Sequence, residues 1–353
     1  MPVVWTDLHR LHEPGGEVWV GVRTPGTELP ARAERIHETL ASMEARLLDA
    51  QPQPDAALLE IHDQELLAYL AAAWDDWEAA GLTDDPGQDR VVPYLFAHPA
   101  LLAGRPPVEP TAVTARAGRF AYDTMTLIGP GTWEAARAAV DAALTATDLV
   151  LAGEPAAYAC CRPPGHHATR SGFGGSCYLN NTAAAAARLH AALGPVAVID
   201  VDAHHGNGTQ EIFYEDPGVM TGSVHVDPGA GWFPHYVGFA SEHGAGPARG
   251  ANRNVCLEPG SGDEAWLEAV AELAAWAADG GARGLVVALG VDAAGDDPES
   301  PLRVTEDGFR AAGRVLGGLE LPTVIVQEGG YDLDSIGTLV AATLEGLEGT
   351  LPA

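Results

Sequence analysis

Val196-Ala197-Val198-Ile199-Asp200-Val201-Asp202-Ala203-His204-His205-Gly206-Asn207-Gly208 is the stretch on which the fold turns. Its first four residues are short, apolar and mostly β-branched, as in a parallel strand covered on both faces. They run straight into carboxylates, imidazoles and a glycine-rich turn. Asp202 and His204 stand two apart, so a chain that stays extended sends both side chains to the same side. An oxygen and a nitrogen donor converging at a strand's carboxyl end is how an α/β protein presents a metal to a ligand.

Three further apolar runs end the same way. Ala156-Ala157-Tyr158-Ala159-Cys160-Cys161 leads into Arg162-Pro163-Pro164-Gly165-His166-His167, where two prolines stiffen the approach and a glycine permits a tight turn. Leu285–Gly290 delivers Asp292, and Thr323–Glu328 delivers Gly329-Gly330-Tyr331. One His or Asp after a strand is ordinarily a cap. Four strand ends carrying Asp, His, Asp, Tyr and a tandem His pair are not explained that way, because buried ionisable groups are costly unless paired or metal-bound.

The expected fold is α/β: a central parallel sheet flanked by helices, with the active site at the strand carboxyl ends. Helix-period patterns cover Arg32–Leu48, Gln64–Ala79, Trp133–Ala146, Asn181–Leu193, Asp263–Ala278 and Glu306–Leu316. No linker interrupts the alternation from Val150 to Leu339, so residues 1–353 are expected to form a single domain. Leu82–Thr114, rich in Pro, Gly and Asp, reads as a loop insertion.

The formal charge is −30, from 49 acidic and 19 basic residues, and every basic residue is Arg. That balance argues against nucleic-acid binding through phosphates and is compatible with a cationic ligand. No apolar stretch approaches membrane length and the first residues turn polar by Asp7, so no membrane partner is expected. Four cysteines in so long a chain make no disulfide framework, which points to a reducing cytoplasm.

The chemistry can be read from residue types. Asp202, His204 and Asp292 supply three donors and leave a position open, the pattern of a catalytic zinc, with iron(II) or cobalt(II) as alternatives. His167 is placed to take a proton from water, with His166 beside it. Tyr331, on its glycine-rich turn, is placed to donate to a developing oxyanion. Asp200 would hold His166 by its other nitrogen, and Asn207 would do the same for His167. An uncharged partner leaves His167 the less basic of the two.

Taken together, Arg162–His167, Asp200-Val-Asp-Ala-His-His-Gly-Asn-Gly-Thr-Gln210, Gly290-Val-Asp292 and Glu328-Gly-Gly-Tyr331 resemble the zinc-dependent histone deacetylase superfamily. The closer match is to its acetylpolyamine amidohydrolase branch and related bacterial class II deacetylases. Gly129-Pro-Gly-Thr-Trp-Glu-Ala-Ala136, Gly174-Gly-Ser-Cys-Tyr-Leu-Asn-Asn181 and Phe233-Pro-His235 add to the resemblance, which runs from Val3 to about Gly346. It implies the arginase/deacetylase fold and hydrolysis of an N-acetyl amide, of acetylpolyamine or acetyl-lysine type, to amine and acetate. By position it implies that Gly175 offers its carbonyl to the substrate amide and that Arg32 lies near the inner end of the acetate channel. It further implies structural K+ or Na+ at Asp200, Asp202, His204, Ser223 and Val224, and a second such ion at Phe213, Asp216 and Val219. A homodimer formed through 82–114 is also implied.

Two departures bear on substrate. Of the two facing aromatics that wall the family's tunnel, Phe233 matches one, but Ser176 stands at the other, with Phe173 nearby as a substitute. A wider tunnel would suit a bulkier small-molecule N-acetyl amine. The glutamates that grip a distal ammonium in polyamine deacetylases fall on Thr114 and Met125 here. Asp123 matches a rim aspartate that holds an acetyl-lysine backbone, and Glu109 is a further acid within reach. A dinuclear ureohydrolase would need acids where Gly206 and Ala294 stand, and a non-catalytic binder would have lost Tyr331 or a metal donor. Neither is so.

Overall fold

A computed structural model describes residues 1–351. Among them, eight strands form one parallel sheet in the order β4-β1-β5-β10-β9-β6-β7-β8. These are β1 (Pro2–Trp5), β4 (Arg46–Asp49), β5 (Ala156–Ala159), β6 (Val196–Asp200), β7 (Val219–Val226), β8 (Asn252–Leu257), β9 (Leu285–Leu289) and β10 (Thr323–Gln327). β2 (Glu17–Trp19) and β3 (Val22–Thr24) make a separate antiparallel hairpin.

Strand alternation divides the core in two. Ala156, Tyr158, Ala197, Ile199, Leu285, Val287 and Ile325 face the helices Pro30–Ser42, Asp263–Asp279, Glu306–Gly317 and Ile336–Glu348. Ala157, Ala159, Val196, Val198, Val286, Val324 and Val326 face the helices Gln64–Ala79, Thr132–Leu151 and Asn181–Leu193. Both faces are buried, which is why these strands read as unbroken apolar runs.

The four strands expected from sequence are β5, β10, β9 and β6, and they lie side by side in the sheet. Register aligns Thr323 with both Ala156 and Leu285, and Asp200 with both Ala288 and Ser223. Their carboxyl ends therefore open onto one edge, with His166–His167, Tyr331, Asp292 and Asp202–His204 arriving from adjacent strands.

Two expectations about elements are corrected. The helix expected over Arg32–Leu48 ends at Ser42, and Arg46–Asp49 becomes the edge strand β4, paired with β1. Its half-exposed residues lack the apolar run that marks a central strand. The helix expected at Trp133–Ala146 runs from Thr132 to Leu151. Within 82–114 the chain forms the 3-10 helix Leu82–Asp84, an antiparallel bridge from Val91 to Ile128 and the helix Pro99–Leu102 before the helix Val113–Phe120 begins.

Candidate active site

Asp202, His204 and Asp292 bring one carboxylate oxygen each and an imidazole nitrogen within 4.8 Å of one another. β6 stops at Asp200, so the strand alternation expected to align Asp202 with His204 does not operate. A turn does the work: the Asp202 carboxylate accepts from the His204 amide at 2.9 Å and from the Gly329 amide at 2.7 Å. Asp292 is tied likewise, accepting from the Ala203 amide at 2.8 Å. His204 Nδ1 lies 3.0 Å from Asp292 Oδ2 and 3.2 Å from Asp202 Oδ1.

The donors suit a divalent cation such as zinc. Two buried carboxylates face each other with no arginine between them, and burial together with the Asp202 charge pushes the Asp292 carboxyl up to about 7. A cation resolves that repulsion. Glycines make the room: a Cβ on Gly290 would stand 2.0 Å from Asp202 Oδ2, and one on Gly329 would stand 2.4 Å from Asp292 Oδ2.

Beside these donors lies the histidine pair, with ring centroids 3.9 Å apart. His166 Nδ1 contacts Asp200 Oδ2 at 2.9 Å, and His167 Nδ1 contacts Asn207 Oδ1 at 2.7 Å. Their environments pull in opposite directions. Burial disfavours both imidazolium forms, but the Asp200 and Asp202 carboxylates overcome it at His166 and carry that ring up to about 10. At His167 burial and the neighbouring histidines hold the ring well below its ordinary value. A neutral imidazole facing the cavity, backed by a charged one, suits proton transfer from water.

Tyr331 completes this end. Its amide donates to Asp297 Oδ2 at 2.7 Å, and the Arg32 guanidinium lies 4.5 Å from its ring centroid. Arg32 also donates to the carbonyls of Gly330 and Glu328, so it binds the glycine-rich turn from beneath. Glu28 holds Arg32 at 2.8 Å and Arg162 at 2.8 Å, all three buried. Burial alone would raise the Glu28 carboxyl, yet Arg162 and Arg32 outweigh it and hold the group below its usual range.

A cavity of about 410 Å³ reaches these groups, lined by His167, His204, Tyr331, Gly175, Ser176 and Phe233. Gly175 sits at φ +58, and a Cβ there would stand 2.4 Å from the His167 ring. Only glycine lets this loop lie against the His167 imidazole. Phe233 packs edge-on to His167 at 4.8 Å and stacks with Tyr122 at 6.3 Å.

Two expected substrate contacts are corrected. Phe173 is buried and stacks on Tyr69 and Tyr178, so it does not replace the missing wall; Trp19 and Met125 line the cavity instead. Glu109 is held by Arg116 at 3.0 Å and Arg119 at 3.1 Å and is not a free acid. Asp123 accepts from the amides of Gly175, Met125 and Thr126, so its carboxylate pins the Gly175 loop.

Several working residues escaped the sequence reading. Glu328 accepts from the amides of Gly165 and His166 and from the Thr182 hydroxyl, fixing the approach to the histidine pair. Asp297 holds the Tyr331 turn, while Arg162 and Glu28 form the buried ion cluster behind it. His235 lines the cavity. His225 lies within β7 and bonds Ser223 Oγ and the Gly238 carbonyl. Charge next to a strand-end motif was the available signal for Glu328. None existed for Asp297.

On the monovalent-cation positions, Asp200 pairs in register with Ser223, and a cavity of about 10 Å³ touches both. Phe213 ends the helix Asn207–Phe213, and its carbonyl accepts from the Asp216 amide at 2.9 Å, just before β7 begins at Val219.

An eight-stranded parallel sheet carrying an Asp-His-Asp donor set, a tandem histidine pair and a tyrosine after adjacent strands has the donor groups that a metal-dependent α/β hydrolase uses. The model of the histone deacetylase domain matches residues 27–347, and the chain belongs to that family. It is 37% identical over 354 residues to the acetylpolyamine amidohydrolase of Mycoplana ramosa, covering 99% of this chain and 100% of that protein. It is 39% identical over 330 residues to the acetylpolyamine amidohydrolase of Burkholderia pseudomallei, covering 92% of each. The crystal structure of an acetylpolyamine aminohydrolase from Burkholderia pseudomallei superposes with a TM-score of 0.94 at 36% identity, over 100% of both chains.

Proposed function

We propose that this protein hydrolyses the acetyl amide of an acetylpolyamine-type amine, releasing acetate and the free amine. The observation that carries the reading is the opposed pair of histidines beside a buried Asp-His-Asp donor set, in a chain similar end to end to acetylpolyamine amidohydrolases. Asp202, His204 and Asp292 would hold zinc, with iron(II) as the alternative occupant. When bound, the metal polarises the amide carbonyl and acidifies water.

The chain's own residues perform the rest. His167, neutral and oriented by Asn207, accepts the proton of the attacking water. His166, charged through Asp200, stabilises negative charge building alongside. The Tyr331 hydroxyl donates to the carbonyl oxygen as it becomes an oxyanion, and the Arg32 guanidinium beneath holds that tyrosine in place. The Gly175 carbonyl accepts from the substrate amide N–H, and Phe233 walls the acyl end. Proton return to the amine nitrogen falls to the histidine pair as the C–N bond breaks.

We further infer the following features of the protein. Residues 1–353 act as a single domain. Asp200, Asp202, His204, Ser223 and Val224 hold one K+ or Na+, and Phe213, Asp216 and Val219 hold a second. The segment 82–114 carries a homodimer contact, with exposed Tyr94, Leu95, Leu101 and Val108 as its apolar surface. The four free cysteines, three of them buried, suit a cytoplasmic setting.

The experiment is acetate release from N-acetylputrescine, N-acetylspermidine and an acetyl-lysine peptide, by zinc-loaded and chelator-stripped protein, with metal content measured. Release from the acetylated polyamines that disappears on stripping and returns with zinc is expected. Release that is indifferent to metal would sink the reading.

A further inference from the structure

Tyr122, which follows the helix Val113–Phe120, joins three groups of the site through one hydroxyl. Its Oη donates to the His167 carbonyl at 2.7 Å, and Asn207 Nδ2 reaches the same Oη at 3.4 Å. The other end of that amide, Oδ1, lies 2.7 Å from His167 Nδ1. The contacts therefore form a loop that starts and ends on His167. Local structure keeps Tyr122 in place. Its amide donates to the Phe173 carbonyl at 3.1 Å, and its ring stacks with Phe233 at 6.3 Å. Gly174 makes room for that ring, since a Cβ there would stand 2.3 Å from Tyr122 Cε2.

The direction of each hydrogen bond follows from counting hydrogens. A phenol has one hydrogen to give. The His167 carbonyl has no other donor among the described residues, and the short 2.7 Å contact claims that hydrogen. Oη is then left with lone pairs alone, so the end of the Asn207 amide that faces it is the NH2 group. Oδ1 is thereby turned toward His167 Nδ1, which can meet an acceptor only as N–H. A neutral imidazole carries one ring hydrogen, so Nε2 is left bare. A bare nitrogen on a ring that lines the cavity is what proton transfer from water needs.

Reversing the amide shows what the hydroxyl prevents. Nδ2 would then face Nδ1, and Oδ1 would stand against Oη with no hydrogen between them. His167 would be driven to the tautomer with its hydrogen on Nε2. An asparagine needs a neighbour to choose between these two states, because its two ends differ. A carboxylate does not, because both of its oxygens accept.

We propose that Tyr122 is a positioning residue for the reaction: its hydroxyl sets the orientation of the Asn207 amide, which holds His167 as the Nδ1–H tautomer with Nε2 free. The proposal rests on the deacetylase reading for the use made of that tautomer, though not for the tautomer itself.

Two measurements test it. In the first, kcat and KM for acetate release from N-acetylputrescine and N-acetylspermidine are compared among zinc-loaded wild type, Tyr122→Phe, Asn207→Asp and the double variant. Tyr122→Phe should lower kcat about tenfold, as for one lost hydrogen bond, with KM within about twofold. In the Asn207→Asp background orientation no longer matters, and the same change should cost less than about twofold. Equal costs in the two backgrounds, or no cost in either, overturn the proposal. The second measurement is nitrogen NMR of ring-labelled histidine in the resting zinc-loaded protein, with His167→Gln assigning the signal. Wild type should show Nδ1 protonated and Nε2 bare, and Tyr122→Phe should move the signal toward the opposite tautomer. If no amide is cleaved but the tautomer changes in this way, the deacetylase reading falls and the positioning role stands. If amides are cleaved but the tautomer is the same in wild type and variant, the positioning role falls alone.

Discussion

The inner end of the cavity and its outer wall treat negative charge in opposite ways. At the inner end Asp200, Asp202, Asp292, Glu328 and Glu28 each have oxygens tied to an amide, a histidine or an arginine. On the outer wall Glu17 has no such partner and Glu299 has one hydroxyl. Charges that must hold a fixed geometry are over-determined by their neighbours, since each added tether removes a way to move. Glu17 and Glu299 are left instead with unmet hydrogen-bonding capacity.

Removing a tether at the inner end should therefore do the greatest damage. Glu28→Ala leaves Arg32 and Arg162 buried and uncompensated, which should cost about 3–5 kcal/mol of stability in denaturant unfolding. The sign with pH follows from the depressed carboxyl of Glu28. Its contribution is full above the unfolded carboxylate range, near about 4.3, and is lost as pH falls through the lower folded value. The gap between wild type and variant should then narrow in acid; a gap constant from pH 7 to the acid transition would show that the pair carries no charge-dependent stability.

Tyr331→Phe keeps the ring over Arg32 and removes only the donor. Acetate release should slow by about 10²–10³, as for loss of one oxyanion donor, with KM little changed. A loss confined to KM would move Tyr331 from the inner plan to the outer one.

Gly175→Ala probes the seam between the two ends. A Cβ against the His167 ring and a positive φ together should cost of order 1–3 kcal/mol in thermal unfolding and lower kcat as well. Unchanged stability with unchanged kcat would mean that the loop shifts freely and the cavity wall is softer than its contacts imply.

The smallest effect is expected from Asn207→Asp. A carboxylate on Nδ1 favours the charged ring, so His167 becomes neutral, and usable as a base, only at higher pH. The acid limb of the pH–rate profile should move up by about one unit. An acid limb that stays in place would remove His167 from the role of base.

The inner end was legible in the chain because β5, β6, β9 and β10 are buried on both faces and read as continuous apolar runs. The candidate site residues lie in the loops that follow them. Edge strands lacked that signal. Arg46–Asp49 looked like more of the preceding helix, and β8 opens with Asn252, Arg253 and Asn254, of which both asparagines donate to Gln210 on the helix Asn207–Phe213, rather than with an apolar run. Phe173 was misjudged as a tunnel wall because sequence proximity to Ser176 says nothing about which way a loop turns; its ring lies in the core between Tyr69 and Tyr178.

By itself, then, the sequence determined the α/β class, the four strands at the sheet's centre, and the donors, histidines and tyrosine at their ends. These follow from local periodicity and from residue types that have few uses when buried. The tertiary structure alone decided that Asp202 and His204 converge through a turn, that Arg162 and Glu28 brace the Tyr331 loop, and that Glu109 is consumed by arginines. It also decided that Glu17 and Glu299, far apart in the chain, line one cavity. Those relations are contacts between distant loops, and a loop's direction is set by what it packs against rather than by its own residues.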